Sequence, residues 1–158
     1  MPKVAMIGAG SLIFCKTLVM DILATPALRG SELCLMSRTR PKLDRMEGFV
    51  KRVIEANKLP ARVWSTLDQR EALRDADYVI VMLQVGGVEA FRLDYEIPLR
   101  FGVDQCIGDS LGPGGVFRAL RTIPVLAELT RNMAELCPKA ILLNYANPMG
   151  ANCLALGQ

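Results

Sequence analysis

KVAMIGAGS, residues 3–11, is the stretch that decides the fold of this 158-residue chain. The apolar run Val4–Ile7 predicts a buried strand, and the turn Gly8–Ser11 precedes a helical pattern over Leu12–Leu23. Glycines let the backbone amides at the start of a helix approach a ligand, and the helix N-terminus favours an anion such as a pyrophosphate. The turn therefore predicts dinucleotide binding, although Ile13 stands where the G-x-G-x-x-G pattern has its third glycine. The alternative is a tight turn that binds nothing.

The rest of the chain alternates short apolar runs with longer helical patterns, which is typical of a parallel sheet covered on both faces. The predicted strands are Lys3–Ile7, Glu32–Met36, Arg62–Ser65, Tyr78–Leu83 and Ala140–Asn144. We therefore predict an α/β fold with a Rossmann-like, doubly wound parallel sheet. Because such sheets usually continue, and because a helical pattern is interrupted at Gln158, we expect residues 1–158 to be the dinucleotide-binding N-terminal part of a longer protein.

Three features mark the helices between these strands. A helical pattern follows Pro41, a residue suited to a first helical turn, and Asp68-x-x-Glu71 reads as a capping box for a short helix. A long pattern over Val116–Leu136 contains Pro124, which we expect to kink or split that helix.

Composition narrows the classes of partner. With 51% hydrophobic and 22% charged residues the chain can bury the core of an ordinary domain. The net charge is only +3, and no Lys/Arg block is interleaved with aromatic residues, so we predict no nucleic-acid partner. The longest apolar run, Tyr78–Leu83, is too short to span a bilayer and no signal-peptide pattern follows Met1, so we predict no membrane partner and a cytoplasmic location.

Cysteine and histidine usage limits the chemistry. The chain has no histidine, which excludes a histidine triad, a histidine general base and histidine ligands to zinc within these residues. The chain has an odd number of cysteines and no CxxC pair. We therefore predict buried, reduced thiols at all five of them: Cys15, Cys34, Cys106, Cys137 and Cys153.

The end of the second predicted strand bears on which dinucleotide is bound. An NAD site usually has Asp or Glu there for the ribose hydroxyls, whereas an NADP site replaces the acid and supplies an arginine. This chain has Ser37 followed by Arg38, with further basic residues at Arg40, Lys42 and Arg45. A bound 2′-phosphate would offset so many cations at a helix N-terminus. The alternative is a solvated, arginine-rich loop, so both NAD and NADP stay open.

Three polar positions follow later strands or loops. Gln84, past the fourth strand, lies at the sheet edge where ligands bind and could hydrogen-bond the nicotinamide or its ribose. In the glycine-dense loop Gly108–Gly115, Asp109 could accept hydrogen bonds from hydroxyl groups. Asn144 and Asn147 flank the end of the fifth strand, where amides can bind sugar hydroxyls. Each position also has an ordinary interpretation as a turn or a solvated loop.

Taken in order, these motifs resemble the N-terminal part of the family 4 glycoside hydrolases, over essentially the whole chain. The resemblance rests on six stretches: Ile7–Ser11, Gln84–Gly87, Asp94–Pro98, Gly108–Gly115, Leu120–Pro124 and Asn144–Met149. It implies an enzyme that oxidises its sugar at C3 with NAD⁺, loses the C2 proton to a tyrosine base, eliminates the aglycone from C1 and then adds water. It also implies a divalent metal, typically Mn²⁺, that polarises the sugar oxygens, and a homo-oligomer at full length.

The resemblance assigns roles by position. It places Gly8, Gly10, Ser11, Ile13 and Phe14 at the pyrophosphate, in the turn that the sequence opens with. It places Ser37 at the ribose, where the family usually has Asp, and it places Asp109 and Asn147 at the sugar, with Asp109 close to the proton transfers. The family's metal ligands and tyrosine base follow the Asn-Pro-Met turn, so no metal ligand is assigned in this chain, Cys153 included.

The substrate class is implied in the same way. Members that act on 6-phosphosugars tend to carry Glu-Thr where this chain has Asp109-Ser110, and a phosphate-binding arginine near Phe91, whereas Arg92 is one position away. The chain thus resembles members acting on unphosphorylated α-galactosides or α-galacturonides. Two other hypotheses remain, a fragment of a lactate- or malate-type dehydrogenase and a non-catalytic dinucleotide-binding domain.

Overall fold

A computed structural model describes residues 1–106 and 108–157. The chain divides into two compact units, which we describe separately. The first contains Met1–Leu83 and Asn132–Leu143, and the second contains Gln84–Arg131 and the chain from Asn144 onward.

The first unit is built on a five-stranded sheet of strand order β3-β2-β1-β4-β5. The strands are β1 Lys3–Ile7, β2 Glu32–Met36, β3 Arg62–Thr66, β4 Tyr78–Val81 and β5 Ile141–Asn144. The pairs β1–β2, β1–β4 and β2–β3 are parallel, and the register aligns Ile7 with both Met36 and Val81. The carboxyl ends of β2 and β4 therefore flank the turn that follows β1, which confirms the predicted Rossmann-like sheet.

Both faces of the central strands are buried. On one face Met6, Leu33 and Leu35 pack in a core with helix side chains such as Val19 and Leu43. The residues of opposite parity are buried as well, and they are Ala5, Ile7, Cys34, Met36, Val79 and Val81. Side chains alternate between the two faces of a strand, so this sheet is covered on both sides, as near-continuous apolar strands predict.

The helices of the first unit lie where the periodicity predicts them. Helix α1 is Phe14–Ala24 and helix α2 is Arg40–Ala56, with Pro41 in its first turn. Helix α3 is Gln69–Leu73, and the Asp68 carboxylate caps it by accepting hydrogen bonds from the Arg70 and Glu71 amides.

The capping box at α3 is only half formed. The Glu71 carboxylate accepts a hydrogen bond from the Thr66 hydroxyl, and the Asp68 amide donates instead to that hydroxyl oxygen at 3.0 Å. Thr66 therefore takes the place that Glu71 has in a complete box.

The second unit contains helix α4 Gly87–Arg100, helix α5 Gly112–Leu136 up to Arg131, and helix α6 Met149–Leu156. The sequence predicted α6 after the Asn-Pro-Met turn but gave no signal for α4. Helix α5 begins at Gly112 rather than at the predicted Val116, and it continues through Pro124, so of the predicted kink or split the split does not occur. Hydrophobic periodicity does not predict helix α4, because its buried residues are Asp94 and Pro98, whereas most of its apolar residues are exposed.

Burial of the thiols agrees with the sequence in part. Cys15, Cys34 and Cys137 are buried, whereas Cys106 and Cys153 are exposed, so the expectation for those two was wrong. Cys106 lies just before the glycine-dense loop Gly108–Gly115, and Cys153 follows the Asn-Pro-Met turn, so neither belongs to an apolar strand. Among residues 1–106 and 108–157, no helix has the length and apolar character needed to cross a membrane.

Candidate functional site

The turn after β1 needs glycine for reasons internal to the first unit. Gly8 has a φ of +93°, and a Cβ added there would lie 2.9 Å from the backbone of Met82 and Leu83. A Cβ at Gly10 would lie 3.0 Å from Oγ of Ser37 and 3.4 Å from Cβ of Lys42. Glycine thus lets the turn pack against the segments that leave β4 and β2.

The same turn leaves backbone donors free. The amides of Gly8 and Ala9 both donate to the Met36 carbonyl at 2.9 Å. Within the described part of the chain, by contrast, the amides of Gly10, Leu12 and Ile13 donate to no protein acceptor. Unpaired amides at the start of a helix form an anion-binding site, so the geometry of the turn fits a pyrophosphate.

The side chains of the residues that follow the turn are largely exposed and do not block the site. Ile13 is 76% exposed and Phe14 is 51% exposed, and Oγ of Ser11 accepts a hydrogen bond from the Phe14 amide at 3.3 Å. The third glycine of the dinucleotide pattern serves close packing of helix against strand. Because the Ile13 side chain is exposed and does not enter that contact, the fold tolerates it there.

The basic residues after β2 fall into two groups. Arg40 is paired with Asp44 at 2.8 Å, and Nε of Arg45 donates to the Pro41 carbonyl at 3.3 Å. Arg38 and Lys42 make no salt bridge or hydrogen bond within residues 1–106 and 108–157. Two of the four cations are therefore held by their own helix, and two are available to a ligand.

Gln84 lies at the start of the second unit. Its Nε2 donates to the Gly87 carbonyl at 3.4 Å, a long hydrogen bond that holds the side chain only weakly. The proposed contact with nicotinamide or ribose stays a prediction.

The second unit brings Asp109 and Asn147 together, although 38 residues separate them along the chain. Nδ2 of Asn147 donates to Oδ2 of Asp109 at 2.9 Å, and Oγ of Ser110 donates to Oδ1 at 3.1 Å. Nη1 of Arg118, on α5, donates to the same Oδ2 at 3.3 Å. The Asp109 side chain is 24% exposed and that of Arg118 is 12% exposed, so the carboxylate is held in place and stays partly exposed.

Arg118 is a member of this cluster that the sequence did not single out. Its partner lies nine residues earlier in an irregular loop, so helical or strand spacing gives no signal for the pair. The charged hydrogen bond from a nearly buried guanidinium fixes the direction of the Asp109 carboxylate.

The loop that carries Asp109 is tied to α4 and α5 through Gln105. Nε2 of Gln105 donates to the Asp94 carbonyl at 3.1 Å, and its Oε1 accepts from the Gly114 amide at 2.9 Å. A Cβ at Gly114 would lie 2.5 Å from the Gly108 carbonyl oxygen, so only glycine fits. These loop glycines are required by packing within the second unit, apart from any ligand.

A buried ion pair anchors the same region. Arg121 donates to both carboxylate oxygens of Asp94 at 2.7 and 2.6 Å, and it also donates to the Phe117 carbonyl. Asp94 is 2% exposed, and the hydrogen bonds that Arg121 donates to its carboxylate raise the pKa of Arg121 despite partial burial. The pair joins two of the stretches on which the family resemblance rests.

The remaining polar positions lie in the turn that follows β5. Asn144 caps the turn after β5, donating to the Ala146 carbonyl and accepting from the Ala146 amide, and its Nδ2 lies 3.8 Å from Sγ of Cys153. The Asn147–Pro148 peptide bond is cis. No cluster of three or more Cys, Asp or Glu side chains suited to a metal occurs among the described residues.

Comparisons with known proteins place the chain in a family. The model of the "Family 4 glycosyl hydrolase" family matches residues 3–158. An alpha-galactosidase of Rhizobium meliloti is 45% identical over 97% of this chain and 31% of its own length. An alpha-galacturonidase of Thermoanaerobacter italicus is 34% identical over 93% of this chain and 31% of its own length. The chain thus spans about a third of the curated relatives it matches.

A solved structure agrees with these relatives. The 6-phospho-beta glucosidase of Thermotoga maritima, solved with manganese, NAD⁺ and glucose-6-phosphate, superposes with a TM-score of 0.83 at 27% identity. The match covers 95% of this chain and 35% of that enzyme. By the family model, by these relatives and by its fold, the chain belongs to glycosyl hydrolase family 4.

Proposed function

We propose that this chain is the dinucleotide-binding part of an enzyme that hydrolyses unphosphorylated α-glycosides, namely α-galactosides or α-galacturonides. The observation that carries the proposal is the turn after β1, where the amides of Gly10, Leu12 and Ile13 are unpaired at the start of α1. Because the chain belongs to glycosyl hydrolase family 4, we assign the cofactor site at that turn to an enzyme that hydrolyses glycosides. Under this proposal residues 1–158 act as one dinucleotide-binding domain within a longer enzyme.

The chain's own residues then bind and orient the cofactor. The unpaired amides and the Ser11 hydroxyl bind the pyrophosphate, Ser37 contacts the adenosine ribose, Arg38 binds the 2′-phosphate that NADP carries on that ribose, and Gln84 contacts the nicotinamide end. When bound, the dinucleotide supplies a reversible oxidation at C3 of the sugar, and Mn²⁺ held by residues outside this chain supplies a Lewis acid.

Asp109 and Asn147 are proposed to bind the sugar. The carboxylate of Asp109 accepts hydrogen bonds from Asn147 and Arg118, which orient it and leave its exposed part for a sugar hydroxyl. A carboxyl group fixed in this way can give a proton to the leaving aglycone while the tyrosine base implied by the family takes the C2 proton, and it can take a proton back from the water that adds. Asp109 is therefore the catalytic residue that we propose for this chain.

The preference for unphosphorylated sugars is supported by two positions. Asp109-Ser110 stands where members acting on 6-phosphosugars tend to have Glu-Thr, and Arg92 lies one position away from the place of their phosphate-binding arginine. The relatives named alpha-galactosidase and alpha-galacturonidase point to the same substrates.

The test measures cleavage of aryl α-galactoside and α-galacturonide by a full-length enzyme that contains this chain. We expect activity only with added dinucleotide and Mn²⁺, and no net reduction of the dinucleotide. Asp109→Asn should lower kcat/KM by about 100-fold or more, since positioned proton transfer contributes about that much. The control is Asp104→Asn, an exposed carboxylate of the same unit, which should change kcat/KM less than about two-fold.

Two outcomes would overturn the proposal. Full activity of enzyme stripped of dinucleotide would remove the cofactor's role. Stoichiometric release of NADH or NADPH from a 2-hydroxy acid, with no glycoside cleaved, would favour a dehydrogenase of the same fold. The 158-residue chain alone should bind the dinucleotide and cleave no glycoside.

A further inference from the structure

The segment after β2 is built for a phosphate at the adenosine ribose, and we infer that this chain prefers NADP⁺ to NAD⁺. The inference rests on the proposed function, because it concerns the same cofactor site. It departs from the solved Thermotoga maritima enzyme, whose structure contains NAD⁺.

The end of β2 lacks the acidic residue that an NAD site usually has there. A site that prefers NAD usually presents Asp or Glu at the end of the second strand, where the carboxylate binds the ribose hydroxyls. In this chain β2 ends at Met36 and Ser37 follows. The first acidic residue after β2 is Asp44, and its carboxylate is paired with Arg40 at 2.8 Å. Nothing in this segment therefore repels a phosphate or selects an unmodified ribose.

Residues after β2 lie next to the pyrophosphate turn. Ser37 and Lys42 flank Gly10, because a Cβ at Gly10 would lie 3.0 Å from Oγ of Ser37 and 3.4 Å from Cβ of Lys42. Gly10 carries one of the three unpaired amides of the pyrophosphate turn. A dinucleotide held at that turn therefore brings its adenosine ribose beside Ser37 and Lys42, and Arg38 is the next residue after Ser37.

Two of the four basic side chains after β2 have no partner within the described residues. Arg40 and Arg45 are engaged by Asp44 and by the Pro41 carbonyl, whereas Arg38 and Lys42 contact no acceptor in the described parts of the chain. Cations at the start of a helix are unfavourable next to its positive dipole. A phosphate dianion offsets that repulsion and can receive paired hydrogen bonds from a guanidinium.

The experiment titrates the 158-residue chain with NADP⁺ and NAD⁺ by calorimetry. Adenosine 2′,5′-bisphosphate and 5′-AMP serve as probes that differ only in the 2′-phosphate. We expect NADP⁺ and the bisphosphate to bind at least about 10-fold more tightly than their counterparts, since each hydrogen bond to a charged group is worth about that factor. Added salt should weaken NADP⁺ more than NAD⁺.

Variants separate the 2′-phosphate from other contacts. Arg38→Ala and Lys42→Ala should each weaken NADP⁺ by about 10-fold and change NAD⁺ by less than about two-fold. Arg45→Ala is the matched control, because its cation on α2 is held by the Pro41 carbonyl and should affect neither ligand. Ser37→Asp should reverse the preference toward NAD⁺. Unfolding midpoints that match the wild type show that each variant is folded.

Each remaining outcome is decisive. Equal losses for NAD⁺ and NADP⁺ in Arg38→Ala would mean that Arg38 contacts a group that the two cofactors share, which overturns the inference. Tighter NAD⁺ binding by the wild type would overturn it as well, while the proposed cofactor role would stand. If the folded chain binds none of the four probes, the cofactor site of the proposed function fails together with this inference.

Discussion

Replacing Arg121 by Met should destabilise the second unit strongly, because it leaves the carboxylate of Asp94 buried without its two guanidinium donors. Asp94 is 2% exposed, and it receives hydrogen bonds of 2.7 and 2.6 Å from Arg121. Breaking a fully buried pair costs about 3–5 kcal/mol. Since Arg121 itself is 29% exposed, we expect about 2–4 kcal/mol for Arg121→Met.

The assay is urea denaturation followed by the helical circular dichroism signal, with the free energy of unfolding extrapolated to water. Arg92→Met is the matched control on α4. Arg92 pairs with Glu96 at 2.6 Å, but their side chains are 64% and 35% exposed, so its loss should cost only about 0.3–0.5 kcal/mol.

A third variant separates the pair from its surroundings. In the double substitution Asp94→Leu with Arg121→Met no buried charge is left, so stability should return to within about 1–2 kcal/mol of the wild type. Equal costs for Arg121→Met and Arg92→Met would refute the idea that burial of Asp94 decides the effect. Failure of the double variant to recover any stability would refute the role assigned to the unpaired carboxylate.

Three further predictions concern stability and thiol chemistry. Gly8→Ala should lower the free energy of unfolding in urea by about 3 kcal/mol or more, because a left-handed φ and a backbone clash add up. Gly87→Ala is the control, since Gly87 has a φ of +64° with open space around it, and it should cost only about 1–2 kcal/mol. Equal costs would show that the clash contributes nothing. Burial raises the pKa of Cys15 and of Cys34 to about 12, so both should resist iodoacetamide at pH 8 by mass spectrometry. Because these folded-state values exceed the unfolded ones, their contribution to stability is full below about pH 9 and falls as pH rises toward 12, and a flat profile over that window would contradict it. Asp68→Ala should cost about 1 kcal/mol by removing the α3 cap, and no change in the unfolding midpoint would show that the cap contributes nothing.

The sheet and the first unit could be predicted from sequence because local signals agree there. The strands were placed within two residues at each end, since runs such as Tyr78–Val81 are apolar on both faces and are bounded by turn residues. Helix α4 could not be predicted, because it buries Asp94 and exposes Val88 and Phe91, the reverse of the pattern on which helix prediction depends. Long-range pairing with Arg121 explains that burial.

The candidate site divides in the same way. The glycine turn has a local signature, so Gly8 and Gly10 could be singled out from spacing alone. The Asp109 cluster depends on contacts across a loop and a long sequence separation, and Arg118 was missed for that reason. Which of the basic residues after β2 are available to a ligand also required the structure. The four-residue spacing allows an Arg40–Asp44 pair without showing that it forms, and the contact of Arg45 with the Pro41 carbonyl has no sequence signal.

The most direct test of a redox cofactor acting inside a hydrolase is to run glycoside cleavage in D₂O. A full-length enzyme containing this chain would be supplied with dinucleotide and Mn²⁺, and the sugar released would be examined by NMR and mass spectrometry. Oxidation at C3 followed by elimination breaks the C2–H bond, so the product should carry deuterium at C2. A product that keeps its original hydrogen at C2 would contradict the proposed chemistry, because direct displacement at C1 never breaks that bond.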